Sequence, residues 1–560
     1  MSGSETRFIF VTGGVLSGLG KGVVTASIGK LLQFRGYTVD AVKIDPYLNV
    51  DPGTLNPVEH GEVFVCEEVW EFEAAPGYRF RIAEIDQDFG TYERFLEMNM
   101  HPSNNITSGQ VYLSVILKER VGEFLGKTIQ VIPHITDEIK RRILGASQRL
   151  KPDVLLVEIG GTVGDIEVMP FLEALRQLML ELGKGRIILV HVTLIPYLET
   201  VGQLKTKPTQ HSVKLLQSMG LQPDIIVGRS RIELPEEIKE KISLFCSVPR
   251  HAVISDPDLE TPYELPIIFE RQGLGDLICS LLGLPRRGPD DEVVSEWSEL
   301  VRRLKEPSDR VRIAMPGKYC MISDSYISII EALRSSAAWL GLKAEPILIE
   351  TEEFERDPEK LRILDDVDGI LLTPGFGARG VEGMIMAAEH AIRKQIPLLG
   401  ICFGAQLLFV AFSRLILGLR DAHSTEVDPN TPHPVVDLLS EQREMNLKGG
   451  TMKLGGRPVK LIFGTKLYQA YKSGRIIERF RHRYHISPRY AELAAGKGLM
   501  ISAYDELDGT ICGIELRDAW IVGVQFHPEF KSRPRKPSPL FIEFIKASCE
   551  NRRKREGIMG

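Results

Sequence analysis

The chain has 560 residues, 43% of them hydrophobic and 26% charged, with 69 Lys and Arg against 75 Asp and Glu for a net charge of −6. That composition excludes a mainly disordered chain, because there is enough apolar material for large cores. The near-neutral balance argues against a protein whose main task is wrapping nucleic acid, and at roughly 100–200 residues per domain the length predicts two to four domains.

In chain order, Phe8, Ile9, Phe10 and Val11 read as a buried strand, residues 13–22 as a glycine-rich turn, residues 23–34 as a helix and residues 39–44 as the next strand. This βαβ unit predicts a parallel sheet. Further apolar runs at 154–157, 187–190 and 224–227 continue it. A stretch rich in proline, glycine and charge begins near Leu284 and predicts a linker over 285–307 between domains at 1–284 and 308–560. Strand and helix signals then restart at 311–314, 326–340, 369–372 and 398–401. The fold class expected is α/β, in two domains, each a mostly parallel sheet with flanking helices.

Residues 396–412 are apolar, but Pro397, Gly400, Gly404 and Gln406 make them a strand, turn and helix rather than a membrane span. Residues 8–11 are too short for the core of a secretory leader. The seven cysteines form no CxxC pair, so neither a disulfide framework nor a structural zinc site is expected, and a reducing, cytoplasmic compartment is. The basic run at 551–555 reads as a solvated tail.

The run Gly13-Gly-Val-Leu-Ser-Gly-Leu-Gly-Lys-Gly22 lies between a strand and a helix. Glycines let backbone N–H groups approach phosphate oxygens, the helix N-terminus favours anions, and Lys21 reaches terminal phosphates. The spacing is one residue longer than in a standard P-loop, and Gly22 stands where a Ser or Thr would hold magnesium, so metal must be held elsewhere. Asp88, paired with Asp86 on one face if the segment is extended, and Glu158 before Gly160-Gly161 are the carboxylate candidates, though spacing alone leaves them open to a solvated-loop reading. Lys205, Thr206, Lys207, Pro208, Thr209 and Gln210 would suit a triphosphate or an ordinary surface loop.

Gly400-Ile-Cys-Phe-Gly404 between strand and helix has the form of a nucleophile elbow, with Cys402 exposed by a sharp turn and the N–H of Phe403 as oxyanion donor. His527 and Glu529, two apart, would share one side of a strand and supply the base and its orienting acid. Pro374 has no N–H, so Gly375 or its neighbour is the second oxyanion candidate.

Together these motifs closely resemble the CTP synthase family of glutamine-dependent UTP amidoligases over nearly the whole chain. The likeness runs through Val11-Thr-Gly-Gly14, Lys43-Ile-Asp-Pro-Tyr47, His60-Gly-Glu-Val-Phe64, Gly90-Thr-Tyr-Glu-Arg94, and the stretches 130–136, 157–167 and 205–214. The C-terminal half resembles a class I glutamine amidotransferase. The resemblance implies a pyrimidine-biosynthetic ligase. Glutamine is hydrolysed at Cys402 through a thioester, with His527 as base and then acid and Glu529 orienting it. Ammonia passes inside the protein to a synthetase site. There ATP phosphorylates O4 of UTP, and ammonia displaces the phosphate to give CTP.

By the same resemblance, Gly18, Leu19, Gly20, Lys21, Gly22, Val23 and Asp88 bind ATP, and Asp88 and Glu158 hold Mg2+. Ser17, Asp165, Ile166, Glu167, Lys205, Thr206, Lys207, Pro208, Thr209, Gln210 and Lys241 bind UTP or the feedback inhibitor CTP, with Lys241 acting from an adjacent subunit. Lys43 resembles a synthetase-site lysine, and His60 a residue near the tunnel constriction. Gly375, Phe403, Gly404, Ala405, Gln406, Glu426 and Arg483 bind glutamine. GTP as allosteric activator and a homotetramer are implied as well, with no nucleic-acid or membrane partner.

The chain departs from the family pattern at Gly18, Pro374, Phe403, Phe480 and His485, and in residues 66–85, which predict an elongated β-hairpin bearing Trp70, Phe72, Tyr78 and Phe80. A catalytically reduced scaffold and a cobyrinic acid a,c-diamide synthase-like amidoligase are the competing readings. Retention of Lys21, Asp88, Glu158, Cys402, His527 and Glu529 disfavours the first, and the 205–210 segment with the C-terminal catalytic set disfavours the second.

Overall fold

The computed structural model describes residues 5–318, 320, 323–439 and 452–557. The chain divides into two compact units, one of Met1–Pro52, Trp70–Ile82 and Asp88–Lys305, the other of Gly53–Val69, Ala83–Gln87 and Glu306–Gly560.

In the first unit the described residues build a seven-stranded sheet whose spatial order is Val253–Pro257, Ile225–Ser230, Ile187–Leu194, Arg7–Gly14, Val154–Ile159, Val39–Asp45, Asn105–Thr107. All its pairings are parallel. Such strands are covered by helices on both faces and so read as continuous apolar runs; Phe8, Ile9, Phe10 and Val11 are all buried. The strand Arg7–Gly14 sits centrally and feeds the helix Lys21–Gln33.

The expected linker at 285–307 is corrected. Most of it is the helix Asp291–Lys305, which packs into the first unit through Trp297, Leu300 and Val301. Trp297 is 1% exposed, donates its indole N–H to the Tyr263 carbonyl at 2.7 Å, and meets the rings of Phe34 and Phe95. The proline and charge that suggested a linker precede an amphipathic helix whose three buried residues, Trp297, Leu300 and Val301, share one face.

In the second unit the described residues form a nine-stranded sheet, ordered Leu342–Glu350, Asp309–Gly317, Gly369–Leu372, Leu398–Ile401, Ile521–Val524, Ile511–Leu516, Leu499–Asp505, Lys453–Leu461, Arg475–His482. The first five strands are parallel and the remainder antiparallel. Residues 396–412 are a buried strand and helix, and among the described residues no helix is long and apolar enough to cross a membrane. Phe480 is fully buried against Phe526, so this departure from the family pattern is a core residue.

The long hairpin is present as strands Phe64–Ala75 and Tyr78–Ile85. Its outer part carries Phe72, which packs on Trp70, Phe80 and the Arg142 guanidinium. The basic run at 551–555 is solvated at Arg553, Lys554 and Arg555, as expected, but it is helical rather than a tail. It is the end of the helix Pro539–Arg555, where Arg552 pairs with Asp309 and Arg555 with Asp368 at 2.7 Å.

A Trp297→Ala variant is expected to lose about 3–5 kcal/mol of stability, the cost of a buried aromatic cavity. Urea unfolding followed by circular dichroism reads this as an earlier midpoint for part of the transition; an unchanged curve would place the helix outside the core.

Candidate active sites

In the second unit the strand Leu398–Ile401 meets the helix Phe403–Leu415 at Cys402, which has φ 52° and ψ −104°. A non-glycine residue held there costs of order 1–3 kcal/mol, a strain typical of functional turns. The flanking glycines are required by close approach, since a Cβ on Gly404 would lie 2.3 Å from the Leu372 carbonyl oxygen and one on Gly400 2.9 Å from that of Gly404. The Cys402 thiol lies 3.4 Å from the Arg481 carbonyl oxygen and 3.5 Å from Gln525 Nε2.

His527 Nδ1 and Glu529 Oε1 are 2.7 Å apart, and both residues are buried. They do not meet as alternate residues of a strand. The strand ends at Val524, and the 3-10 turn Pro528–Lys531 brings the carboxylate back onto the ring. The imidazole also stacks on Phe530 at 5.1 Å. Burial lowers the His527 pKa, but the charges of Glu529 and then Cys402 outweigh it and raise the pKa to about 10. The ring's Nε2 makes no hydrogen bond of good geometry, and the Cys402 thiol acts on it electrostatically.

Two cavities open on the thiol. One of about 70 Å³ is lined by Cys402, His527, Glu529, Gly375 and Arg481; a larger one of about 470 Å³ is lined by Cys402, Phe403, Gln406, Glu426 and Arg483. Gln406 donates to the Tyr484 carbonyl at 2.9 Å and to Gln525 Oε1 at 3.1 Å, leaving its own buried oxygen unpartnered. Glu426 accepts the Gly377 N–H at 2.8 Å; burial raises its pKa, opposed by that bond and by Lys318 and Arg483. Gly404 and Ala405 face the fold instead, the first against Leu372 and the second against Gly523.

Four further residues of this site escape a sequence reading. Lys318 lies 4.4 Å over the Phe403 ring and donates to the Phe376 carbonyl at 2.9 Å and to that of Gly377. Burial, partly offset by Glu426, lowers its pKa to about 8. Its place at the C-terminal end of a parallel strand was the available signal. Arg481 bonds Glu84 at 2.7 Å and the Gly53 carbonyl at 3.2 Å, while Glu62 accepts from the backbone and side chain of Ser328. Glu62 and Glu84 lie hundreds of residues from their partners, and no local pattern marks them.

In the first unit, Gly18 and Gly20 take φ of 74° and 83°, a backbone that favours glycine. The loop borders a cavity of about 260 Å³, lined by Gly18, Leu19, Gly20 and Val23 and by Arg229 and Asp256, which pair at 3.1 Å. Arg229 and Asp256 were not expected from sequence. Lys21 is buried and donates to the Gly161 carbonyl at 3.0 Å; burial lowers its pKa against the pull of Glu158.

Asp88 and Glu158 converge on one ammonium, Lys43, with the Glu158 contact at 2.9 Å. Tyr92 donates to the other Glu158 oxygen. Asp88 opens the helix Asp88–Leu96, so the extended Asp86–Asp88 pairing is corrected. A Cβ on Gly22 would lie 2.5 Å from Asp88 Oδ1, which explains why no Ser or Thr stands there: the carboxylate occupies that space. Among the described residues no cluster of three or more metal-ligating side chains exists, and two carboxylates with substrate phosphates suffice for Mg2+, so the donor set fits that ion.

The remaining expected nucleotide residues divide by exposure. Ser17, Asp165, Ile166, Glu167, Lys207 and Lys241 are exposed, and Lys205 and Pro208 half-buried. Thr206, Thr209 and Gln210 are buried, with Gln210 bonded to Thr206 at 3.0 Å.

Glu529→Gln removes the charge that holds His527 protonated, so its pKa is expected to fall by about 1–3 pH units. The imidazolium, present below pH about 10 in the unaltered chain, is then lost at lower pH. NMR titration of labelled histidine checks this; an unmoved titration would remove Glu529 from the pair.

Residues 7–284 match the family described as CTP synthase N-terminus, and residues 321–547 match glutamine amidotransferase class-I. The CTP synthase of Pyrococcus abyssi is 51% identical over 98% of this chain and 99% of its own length. That of Carboxydothermus hydrogenoformans is 49% identical over 97% and 99%. A solved glutaminase domain of Trypanosoma brucei CTPS with bound acivicin is 32% identical, covering 43% of this chain and 94% of its own, with a TM-score of 0.40. Full-length identity near one half, on a chain with both matched domains, leads to one conclusion: the chain belongs to the CTP synthase family.

Proposed function

We propose that this ligase converts UTP to CTP, taking nitrogen from glutamine hydrolysed in the second unit and using ATP in the first. The observation that carries this reading is Cys402 on a positive-φ elbow, sharing a cavity with the buried His527–Glu529 pair, in the same chain as Lys21, Lys43, Asp88 and Glu158.

Glutamine enters the larger cavity, where Glu426 suits its ammonium group and Gln406 and Arg483 offer polar contacts. Cys402 attacks the side-chain amide, and the N–H groups of Phe403 and Gly375 receive the developing oxyanion. His527 then protonates the amide nitrogen as its C–N bond breaks, so ammonia leaves and a Cys402 thioester remains, and next activates the water that releases glutamate, while Glu529 holds the ring's orientation. Ammonia passes internally, near His60, and so avoids conversion to unreactive ammonium.

In the first unit, residues 18–23 hold the ATP phosphates through backbone N–H groups and Lys21. The cleft faced by Arg229 and Asp256 suits the rest of that nucleotide. Bound Mg2+ would screen phosphoryl charge, with Asp88 and Glu158 as its protein ligands. Ser17, residues 165–167, residues 205–210 and Lys241 hold UTP or CTP, with Lys241 supplied by a neighbouring copy. Phosphorylation at O4 turns a poor leaving group into a good one, and ammonia displaces it. Activation by GTP, feedback by CTP, a homotetramer and a cytoplasmic setting are part of this reading, and the family resemblance supports them.

The test supplies UTP, ATP and Mg2+ with either glutamine or ammonia. Cys402→Ala is expected to lose glutamine-dependent CTP formation by at least about 10³-fold while ammonia-dependent formation persists. Equal loss with both donors would break the two-site reading, and no CTP from either donor in the unaltered chain would overturn the reaction.

A further inference from the structure

We propose that His191 is a positioning residue that fixes the ATP-binding loop and the UTP-binding segment at one spacing. The inference rests on the proposed assignment of residues 205–210 to UTP.

His191 lies in the strand Ile187–Leu194 directly opposite Thr12 of the central strand. It is fully buried, and both ring nitrogens are engaged: Nδ1 meets Thr12 Oγ1 at 3.0 Å and Nε2 meets Ser212 Oγ at 2.8 Å. Thr12 leads directly into the glycine loop. Ser212 belongs to the helix Lys207–Ser218, whose first turn carries Lys207, Pro208, Thr209 and Gln210. One imidazole therefore spans from the root of one nucleotide segment to the body of the other.

The neighbouring geometry tightens the link. A Cβ on Gly14 would fall 1.6 Å from Ser212 Oγ and 2.8 Å from His191 Nε2, so the loop root rests directly on this pair. Two residues along the strand, the Thr193 hydroxyl donates to Thr209 Oγ1 at 3.3 Å, and Thr209 donates to the Leu194 carbonyl at 3.2 Å. The Gly13 carbonyl accepts the Val163 N–H at 2.8 Å, drawing in the 165–167 turn.

The chemistry of the ring suits this task. Burial, then the charge of Lys21, lowers its pKa to about 3, so near neutrality one nitrogen donates and the other accepts. An uncharged ring gives two directional bonds without adding charge beside Lys21. An apolar side chain would remove both bonds, leaving Thr12 only its 3.4 Å contact to the Val190 carbonyl and the buried Ser212 hydroxyl without its imidazole partner.

Phosphoryl transfer depends on alignment, and a displacement of about 1 Å can cost about 10²-fold in rate. Loosening this link should therefore spare nucleotide binding and harm transfer, leaving water to compete with UTP for the phosphoryl group. The balance is ATP plus water giving ADP and phosphate, in place of ATP-driven amination of UTP.

The test uses the full chain with ammonia as nitrogen donor and compares His191→Phe, His191→Gln and Ser212→Ala. His191→Phe is expected to lower kcat for CTP about 10–100-fold with small changes in KM for ATP and UTP, and to raise ADP released per CTP formed. His191→Gln, which keeps a donor and an acceptor, should recover part of the coupling. Should His191→Phe fail to fold, Ser212→Ala breaks the Nε2 contact alone and should raise the same ratio. An unchanged ADP:CTP ratio in Ser212→Ala and in the folded His191 variant overturns the proposal. Lys207→Ala separates the underlying reading: an unmoved KM for UTP refutes the assignment of 205–210, whereas a raised KM there, with unchanged coupling in the His191 and Ser212 variants, refutes His191 alone.

Discussion

An ion pair between the buried Glu84 and the half-buried Arg481 organises the second unit. Glu84 is 1% exposed and takes the Arg481 Nε–H at 2.7 Å. The same arginine's carbonyl oxygen lies 3.4 Å from the Cys402 thiol, and its side chain helps line both cavities that reach that thiol. Removing Arg481 would leave the Glu84 carboxylate as an uncompensated buried charge, a loss of up to about 3–5 kcal/mol. The nucleophile's surroundings thus depend on a carboxylate from the first hundred residues, aligned with a strand near the end of the chain.

Both units place their chemistry at the C-terminal ends of parallel strands, where glycine allows approaches that no side chain permits. At Gly22 the absent Cβ admits the Asp88 carboxylate, and at Gly404 it admits the Leu372 carbonyl. Charge is then set by burial against a partner. In the first unit one ammonium, Lys43, takes two carboxylates. In the second, Glu529 outweighs burial and keeps His527 cationic. Lys318 lies over the Phe403 ring and donates to the Phe376 and Gly377 carbonyls, so one lysine touches both segments that carry the backbone donors proposed for the oxyanion.

The sequence carried whatever was local. Apolar runs followed by glycine turns located the strands Arg7–Gly14 and Leu398–Ile401, the loop after the first and the elbow after the second. It carried the identities of His527 and Glu529 but not their geometry, because a spacing of two fits a 3-10 turn as well as a strand. The same limit hid Asp88 at a helix start and let proline and charge disguise the Trp297 helix as a linker. Glu62, Glu84, Arg229 and Asp256 were invisible for another reason: their partners are fixed by tertiary packing, and no window along the chain contains both ends of the Glu62 and Glu84 contacts.

That residues 53–69 and 83–87 fold into the second unit has a consequence for inheritance. A crossover between two relatives near residue 306 would appear to exchange whole modules, yet it would bring Pro57, Glu62 and Glu84 from one parent to Cys402 and Arg481 from the other. The chamber around the cysteine would be a hybrid, with its ion pair assembled from strangers. Intact transfer of the glutamine-handling module requires two short upstream cassettes to travel with it. The two halves are therefore expected to diverge together, as one locus, although each has a sheet of its own.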